Sequence, residues 1–377
     1  MKITKKSQPY FFSLVFLCSL VFQVGGIQLV TAQNAEDPIT WGEALLQESE
    51  WYKSTEAIRI ADNVLLYQHE SGGWPKNIDM AKKLSEQKKQ LIRTNKSLTN
   101  SSLNDITIDN GATISQIKYL AKVYTATERE RFKNGVLKGI DYLLQAQYNN
   151  GGWPQYYPIR NGYYEHITFN DGAMIGAMQL LRDVANEEKS YSFVDADRKE
   201  KSTKAIEKGL DIILKTQVEV DGKLTTWCAQ YDRETLEPAA ARTYELISLS
   251  GSESVGIVYY LMGIEEPDSV IINAINSAVV WFDKVKLTDV RIIEVEKPDL
   301  PKGFDRVVGF DPTGESPLWA RFYEIGTNYP MFVDREGTVH YALSEIPYER
   351  RVGYSWLGNY AEELLEKDYP KWLDRIQ

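Results

Sequence analysis

Cysteine is almost absent from this 377-residue sequence, which contains only Cys18 and Cys228. Cys18 lies in an apolar segment near the amino terminus, so removal of that segment would leave one cysteine. A single cysteine cannot form an intrachain disulfide, and it cannot build a cysteine-rich metal centre. A chain of this length does not need such links, because it can bury ample apolar surface in a core.

Histidine is scarce as well, and several catalytic signatures are missing. His166 and His340 have side chains that suit an acid or a base, but their spacing forms neither a catalytic triad nor an H-E-x-x-H zinc site. We therefore expect structural roles for both. The serines of "SLSGSES" do not form a G-x-S-x-G elbow. Asp195 and Asp197 lack the glycine and the closing glutamate of an EF-hand loop.

Positive charge is in deficit, with 43 lysines and arginines against 53 acids and a formal net charge of −10. This balance argues against nucleic acid as a partner. Aromatic residues make up 12% of the chain, including 23 tyrosines and 9 tryptophans. In an exported enzyme such rings suggest stacking on sugars, although most should pack in the core or in loops.

A long apolar run is confined to the amino terminus. Three lysines among the first six residues precede "FFSLVFLCSLVFQV", which is too short and too early for a membrane span. The small residues of "VTAQ" predict cleavage between Ala32 and Asn34. We expect residues 1–33 to be a secretory signal peptide, with an uncleaved anchor as the alternative. Residues 34–377 would then be one soluble domain, secreted or periplasmic, monomeric, and without a membrane span.

Helical periodicity is frequent along the mature chain. Apolar residues recur on one stripe in "ATISQIKYLAKVY" (from Ala112) and in "AMIGAMQLLRDVA" (from Ala173). "VLKGIDYLLQAQ" and "STKAIEKGLDIILKTQ" have the same period. Alternating patterns are scarce, and "DVRIIEVEKP" is the clearest candidate strand. The pattern predicts a helix-dominated fold with long loops and a few short strands.

An internal repeat indicates how these helices are arranged. Gln68, Gln147 and Gln217 are 79 and 70 residues apart, and each follows a predicted helix and precedes a glycine-containing turn. Such a period holds two helices and their loops, and stacked hairpins bury their apolar stripes against each other. A closed ring of hairpins, an (α/α) toroid, fits this repeat. Its Gly-Gly-Trp-Pro turns would lie at one end, where sites are commonly built.

Two acids stand beside an Asn and a Gly just before predicted helices. Asp109 occurs in "TIDNGAT" and Asp171 in "FNDGAM", 62 residues apart. An Asp at a helix start often caps the helix and is favoured by its dipole. The two acids also recur at what the repeat suggests are equivalent positions, which would bring them to the same rim. Two rim carboxylates could bind Ca²⁺ or act as an acid and base pair on a glycoside.

Three arginines lie in unusual surroundings. Arg242 follows a proline and three alanines, and Arg321 and Arg335 lie among aromatic residues. A single such arginine commonly stacks on a ring or forms a surface ion pair. Three of them near two acids would form a pocket that binds a planar acidic group through paired hydrogen bonds. An acidic protein could in this way still bind an anionic substrate.

Taken in order, several motifs resemble one known family, the family 10 polysaccharide lyases, over essentially the whole mature chain. They are "GGWPKN", "TIDNGAT", "GGWPQYYP", "EHITFNDGAM", "WCAQYD", "PAAARTYE", "ARFYEIGTNYPMF" and "RRVGYSWLG". These lyases are pectate lyases with an (α/α) toroid fold. The separations of the two acids and of Arg321 from Arg335 also resemble the spacing of the family's active site.

The resemblance implies a calcium-dependent pectate lyase that cleaves polygalacturonate internally by anti β-elimination. It assigns Asp109 and Asp171 to the calcium and substrate site. It makes Arg242 the Brønsted base. Substrate binding would fall to Arg321 and Arg335, which would hold uronate carboxylates. We also expect Asn110, Lys76 and Trp153 near the groove.

Other functions remain open at the level of sequence. A toroid glycoside hydrolase would use Asp109 and Asp171 as its carboxylate pair, without calcium. A uronan-binding protein would keep the groove without turnover. Terpene cyclases and prenyltransferases also use helical toroids, but the chain has no D-x-D-D motif and carries an export signal.

Overall fold

The computed structural model describes residues 39–96, 105–314 and 316–376. The predicted signal peptide lies outside the described residues and stays a prediction. Ile39–Gln377 forms one compact unit. Within the described ranges, no helix combines the length and apolarity needed to cross a membrane.

Helices dominate the fold, as the periodicity predicts. The four periodic segments form α4, α5, α6 and α7 in full or in large part. The α-helices are α1 (Trp41–Leu45), α2 (Thr55–Tyr67), α3 (Glu86–Lys96), α4 (Ile114–Thr127), α5 (Glu130–Ala146), α6 (Ala173–Ala185), α7 (Ala196–Thr216), α8 (Glu253–Met262), α9 (Ser269–Val285), α10 (Tyr348–Gly353) and α11 (Tyr369–Ile376).

Pairs of antiparallel helices form the repeated unit. Helix α4 packs on α5, α6 on α7, and α8 on α9. Neighbouring pairs also contact each other, α4 with α6 and α6 with α8 on one layer, and α5 with α7 and α7 with α9 on the other. Each helix thus buries its apolar stripe between two layers, and Ile117, Leu120 and Met178 are fully buried there. The helix-dominated (α/α) toroid is confirmed.

The repeated glutamines connect one repeat to the next. Gln147 ends α5, and its amide nitrogen donates to the carbonyl oxygens of Gly151 (2.9 Å) and Ala205 (2.8 Å). Gln68 donates in the same way to Gly72 and Gly135, and Gln217 to Thr225 and Ala274. Each of these amides donates to one carbonyl of its own turn and to one carbonyl of the next outer helix, which satisfies its N–H groups inside the protein. The repeated glutamines therefore stabilise the ring by linking each turn to the next outer helix.

The glycine turns after these glutamines require glycine. Gly72 and Gly151 have φ of 101° and 106°, a region that other residues rarely adopt. A Cβ at Gly151 would lie 2.3 Å from the carbonyl oxygen of Lys208, and one at Gly72 would lie 2.1 Å from that of Lys138. The turn therefore packs directly on the backbone of the next outer helix.

Strands are short apart from one hairpin. The segment predicted as a strand forms β6, which pairs antiparallel with β7. The remaining antiparallel pairs are β1 with β4, β2 with β3, β5 with β9, β8 with β12, and β10 with β11. The strands are β1 (Ile167–Thr168), β2 (Glu219–Val220), β3 (Lys223–Leu224), β4 (Gln230–Tyr231), β5 (Leu249–Ser250), β6 (Val290–Glu296), β7 (Phe304–Phe310), β8 (Trp319–Ala320), β9 (Phe322–Tyr323), β10 (Phe332–Val333), β11 (Val339–His340) and β12 (Leu357–Gly358).

Candidate active site

Short backbone pairings join successive loops at one end of the helix pairs. Thr107 bridges to Tyr156, Thr168 pairs with Gln230, and Ser250 pairs with Phe322. Charged side chains lie within three residues of each pairing: Asp109, Asp171, Arg321 and Glu253. The pairings hold these loops in register, because each uses main-chain hydrogen bonds that do not depend on side-chain identity. The structure thus brings residues from distant parts of the sequence to one surface.

The two acids lie on matching turns but at different positions of them. Asp109–Gly111 and Asn170–Gly172 are single 3₁₀ turns that pack against each other. Asn110 and Asp171 have nearly the same left-handed backbone, with φ of 51° and 50°. The counterpart of Asp171 is therefore Asn110, and that of Asp109 is Asn170. The prediction that the two acids occupy equivalent positions of the repeat is wrong by one residue. Neither acid caps the helix that follows it.

Asp109 is the buried acid. It is 3% exposed, and its Oδ2 accepts a hydrogen bond from Lys76 Nζ. Its Oδ1 is buried without a partner among the described residues. Burial alone would lower the pKa of Lys76, but the ion pair with Asp109 outweighs burial and raises this pKa. Lys76 and Asn110 also line a neighbouring cavity of about 390 Å³.

Asp171 is the exposed acid, and Arg321 connects it to a second, buried acid. Arg321 Nη2 donates to Asp171 Oδ1 (3.1 Å) and to Glu253 Oε1 (2.5 Å). Glu253, at the start of α8, is 8% exposed. Its other oxygen accepts from the hydroxyl of Ser250. Arg321 Nε is buried without a partner in the described part of the chain. Arg321 therefore has one N–H donor, at Nε, that makes no hydrogen bond within the described part of the chain.

Arg242 is held by an acid three residues further along the chain. Arg242 Nε donates to Glu245 Oε2 (2.8 Å), and Nη2 donates to Glu245 Oε1. The hydrogen bond with Glu245 raises the pKa of Arg242 above its ordinary value, although partial burial opposes this shift. This geometry favours the charged guanidinium. A role as a base would require that the contact with Glu245 change when substrate binds.

Two tyrosines separate four arginines on this surface. The Tyr244 ring lies 5.1 Å from the Arg242 guanidinium, 4.8 Å from that of Arg335 and 4.4 Å from that of Arg350. Tyr354 lies between Arg350 (5.2 Å) and Arg321 (5.0 Å). Stacking on rings lets like charges approach without direct contact. All three predicted arginines therefore belong to one cluster, and the buried Arg350 is an additional member.

Arg335 is the outermost member of this cluster. It forms a two-point ion pair with Glu349, with distances of 2.8 and 2.9 Å, and both side chains are half exposed. The pair lowers the pKa of Glu349. A half-exposed pair of this kind is worth little in stability. Arg335 can therefore exchange Glu349 for another carboxylate at small cost.

Trp153 does not line the groove, which corrects the expectation for this residue. Its ring is fully buried, and its indole N–H donates to the carbonyl oxygen of Leu143 (2.8 Å). Trp74, Trp227 and Trp319 make the corresponding contact with Val64, Ile213 and Phe282. A buried Trp satisfies its N–H in this way. The Gly-Gly-Trp-Pro tryptophans therefore anchor the loops to the helices.

Sequence reasoning missed Glu253, Glu245 and Arg350. Glu253 lies in "SLSGSES", a segment whose sequence draws attention to its serines rather than to its acid. Ser254 Oγ accepts from the Trp227 amide as Thr113 Oγ1 accepts from that of Trp74, so the third repeat has the same loop as the first. In this alignment Glu253 falls opposite Ala112, so the repeat does not reveal this acid. The only sequence signal for Arg350 is its position in the motif "RRVGYSWLG".

Comparison with known proteins shows the family. The family model of pectic acid lyase matches residues 68–365, which is more than half of the chain. The chain belongs to the pectic acid lyase family. It is a pectate lyase enzyme of the polysaccharide lyase class. A search of curated proteins found no match.

Two solved structures resemble this pectate lyase. One is the family 10 polysaccharide lyase from Cellvibrio cellulosa, with 33% identity, a TM-score of 0.71, and coverage of 89% of this chain and 95% of that one. The other is an Asp-to-Ala mutant of the family 10 lyase from the same organism in complex with trigalacturonic acid. It has 34% identity, a TM-score of 0.69, and coverage of 84% and 93%.

Proposed function

We propose that this enzyme cleaves α-1,4-polygalacturonate by calcium-dependent anti β-elimination. The observation that carries the proposal is the pair of packed turns with Asp109 and Asp171, faced by Lys76 and Arg321. The trigalacturonic acid bound to the Cellvibrio lyase mutant supports a galacturonate substrate. Carboxylates along such a chain are planar anions, which a group of arginines binds with directional hydrogen bonds.

The residues present fit a calcium ion. Ca²⁺ prefers carboxylate and amide oxygens, and Asp109 Oδ1 is a buried oxygen without a partner among the described residues. Asp109 and Asp171 would hold the ion. Within the described ranges no group of three or more His, Cys, Asp or Glu side chains comes together, so substrate and water would supply its other ligands. Bound calcium would add positive charge beside the substrate carboxylate.

The proton step is assigned to Arg242. In the substrate, C5–H lies next to the C6 carboxylate, and O4 leaves from the adjacent carbon. A neutral Arg242 guanidine takes the C5 proton, the C4=C5 double bond forms, the C4–O4 bond breaks, and water protonates the leaving oxygen. Negative charge grows on the carboxylate during this step. Arg321 and Lys76 stabilise it, which is commonly a large contribution to rate.

A neutral arginine is rare, because its ordinary pKa exceeds 12. Glu245 raises the pKa of Arg242 further. Partial burial of the guanidinium acts in the other direction. We therefore expect activity to rise toward alkaline pH, where the neutral fraction of Arg242 increases.

The hydrolase alternative requires one carboxylic acid that holds a proton. Asp109 instead faces Lys76, and Asp171 faces Arg321. The geometry therefore supports a binding role for both acids more than an acid and base pair.

The test is ultraviolet absorbance of polygalacturonate incubated with the protein at alkaline pH, with calcium and then with a chelator. We expect absorbance of the C4=C5 product to rise with calcium and to stop with the chelator. Arg242→Lys should lose most of this activity. A wild-type rate in Arg242→Lys across the alkaline range would refute the assignment of the base. Reducing sugar without ultraviolet absorbance would show a hydrolase instead.

A further inference from the structure

A row of three tyrosines lies beside the proposed centre, with Tyr163 and Tyr164 partly exposed and Tyr156 buried. It is formed by Tyr163, Tyr164 and Tyr156 from the loop between Pro154 and Ile167. The rings of Tyr163 and Tyr164 are 4.0 Å apart, and those of Tyr164 and Tyr156 are 5.2 Å apart. We call these three residues the tyrosine row. Nothing in the elimination step above uses them.

The row connects the two sides of the active site. At one end, Lys76 Nζ lies 5.8 Å from the Tyr156 ring centre and forms the ion pair with Asp109. At the other end, burial raises the pKa of Tyr163, and Arg242 and Glu245 are close enough to act on it as well. A polymer that reaches both Lys76 and Arg242 therefore passes along this row.

Arg160 covers the outer part of the row. Its guanidinium carbon lies 4.8 Å from the Tyr156 ring and 4.8 Å from the Tyr164 ring. Its one ion pair among the described residues is with Asp105, at a long 3.4 Å, and the side chains of the two residues are 44% and 50% exposed. Such a pair is weak and exchangeable. The Tyr156 and Tyr164 rings thus hold the planar guanidinium of Arg160 in place, and its N–H groups remain available for hydrogen bonds.

The base of this loop is firmly held. Gln155 N donates to the carbonyl oxygen of Tyr164 (3.1 Å). The hydroxyl groups of Tyr142 and Tyr148 donate to the carbonyl oxygens of Tyr157 (3.0 Å) and Glu165 (2.8 Å). The rings and Arg160 are therefore presented from a fixed support, which lowers the entropy cost of binding.

We propose that Arg160 and the tyrosine row form a uronate-binding subsite outside the cleavage centre. Arg160 binds the carboxylate of a distal galacturonate residue, and the partly exposed rings of Tyr163 and Tyr164 pack against the apolar face of its ring. This inference rests on the proposed function and extends it, because it makes the enzyme favour long acidic chains over short ones. The subsite recognises substrate and takes no part in the proton step.

The test compares substrates of different length in the ultraviolet assay. For Arg160→Gln we expect KM on polygalacturonate to rise roughly five- to tenfold with kcat nearly unchanged, since one charge-assisted contact is lost. On the shortest oligogalacturonate that the wild type cleaves, Arg160→Gln should match the wild type. Arg160→Lys should recover only part of the loss, because an ammonium lacks the planar fork.

Two control variants separate binding from loop structure. Arg131→Gln removes an arginine of the same exposure that pairs with Asp62 and covers the Phe132 ring, and it should leave KM unchanged. Asp105→Asn removes the same ion pair as Arg160→Gln but keeps the guanidinium. If Arg160 binds substrate, Asp105→Asn should lower KM or leave it unchanged, whereas a loop clamp would make both variants equally poor.

Equal losses on polymer and on the shortest oligomer would overturn the subsite, and so would a normal KM for Arg160→Gln. A wild-type protein that gave no ultraviolet product would refute the proposed function instead. Affinity electrophoresis in polygalacturonate would then still test the subsite. Retardation of the wild type that is weaker in Arg160→Gln would support it, and equal mobility would refute it.

Discussion

At the scale of single residues, the charges of the active site are already paired by the protein itself. Lys76 faces Asp109, and Arg321 faces Glu253 as well as Asp171. Such pairing lowers the cost of keeping charges at a partly buried surface. A polyuronate offers a carboxylate on each residue, so we expect binding to replace internal carboxylates with those of the substrate. Affinity then depends on how readily each internal acid withdraws.

Glu245 is the acid whose removal should change the pH dependence. Loss of its charge in Glu245→Gln removes the main cause of the raised pKa of Arg242. A lower pKa gives more neutral Arg242 at a given pH, so the alkaline limb of kcat/KM should move to lower pH. We expect a shift of about one pH unit, allowing for solvent screening of a half-exposed pair. The measurement is the pH profile of the ultraviolet assay.

Glu349→Gln is the matched control for this prediction. It removes the two-point partner of Arg335, which has no assigned role in proton transfer. We expect Glu349→Gln to change KM and to leave the position of the alkaline limb unchanged. An active Glu245→Gln enzyme with an unshifted profile would contradict the assignment of Arg242 as the base.

Several site residues could be predicted from the sequence, and the reasons for the misses are physical. Asp109, Asp171 and Arg321 could be singled out because charged side chains are rarely placed among aromatic residues unless they are paired. The ion pair of Arg321 with Glu253 could not be predicted, since it joins residues 68 positions apart. Trp153 was misplaced because its sequence surroundings do not show whether a ring faces sugar or core.

At the scale of elements, the stability of the fold depends on glycine in the turns that follow the outer helices. In Gly151→Ala the new Cβ meets the carbonyl oxygen of Lys208 at 2.3 Å and the backbone stays at φ 106°. Because the new Cβ clashes with a backbone atom, no side-chain rotation can relieve the contact. We expect a loss of roughly 3 kcal/mol or more in the free energy of unfolding. Chemical denaturation of both proteins measures it.

Gly222→Ala provides the comparison. Gly222 has φ of 74° in the tight turn between β2 and β3, but a Cβ there meets nothing within 4 Å. This variant should cost only the backbone strain, about 1 kcal/mol. Equal losses in the two variants would show that the contact between the turn and the next outer helix is not what requires glycine at residue 151.

The helices were predictable and most strands were not. A stripe such as that of α6 repeats over 13 residues, so its period is evident in the sequence. The hairpin strand β6 has seven residues and was also predicted. Strands such as β1 and β9 have two residues each, and no alternation can be recognised over that length. These pairings depend on the ring of helices that brings their loops together.

At the scale of the whole molecule, the acidic balance leads us to predict that a bound cation contributes to stability. The chain has a formal net charge of −10, and Asp109 adds a buried carboxylate oxygen without a partner among the described residues. An ion that binds only the folded state stabilises it by about 2.7 kcal/mol at one hundred times its dissociation constant. Calcium should therefore raise the melting temperature by several degrees.

This prediction can be tested without any measurement of activity. The melting temperature is recorded with calcium, with the same concentration of magnesium, and with a chelator, for the wild type and for Asp109→Asn. We expect the rise to be larger with calcium than with magnesium, because calcium tolerates irregular oxygen ligands. The difference between calcium and chelator should nearly vanish in Asp109→Asn. Equal rises with both ions, or an unchanged rise in the variant, would mean that calcium only screens the net negative charge.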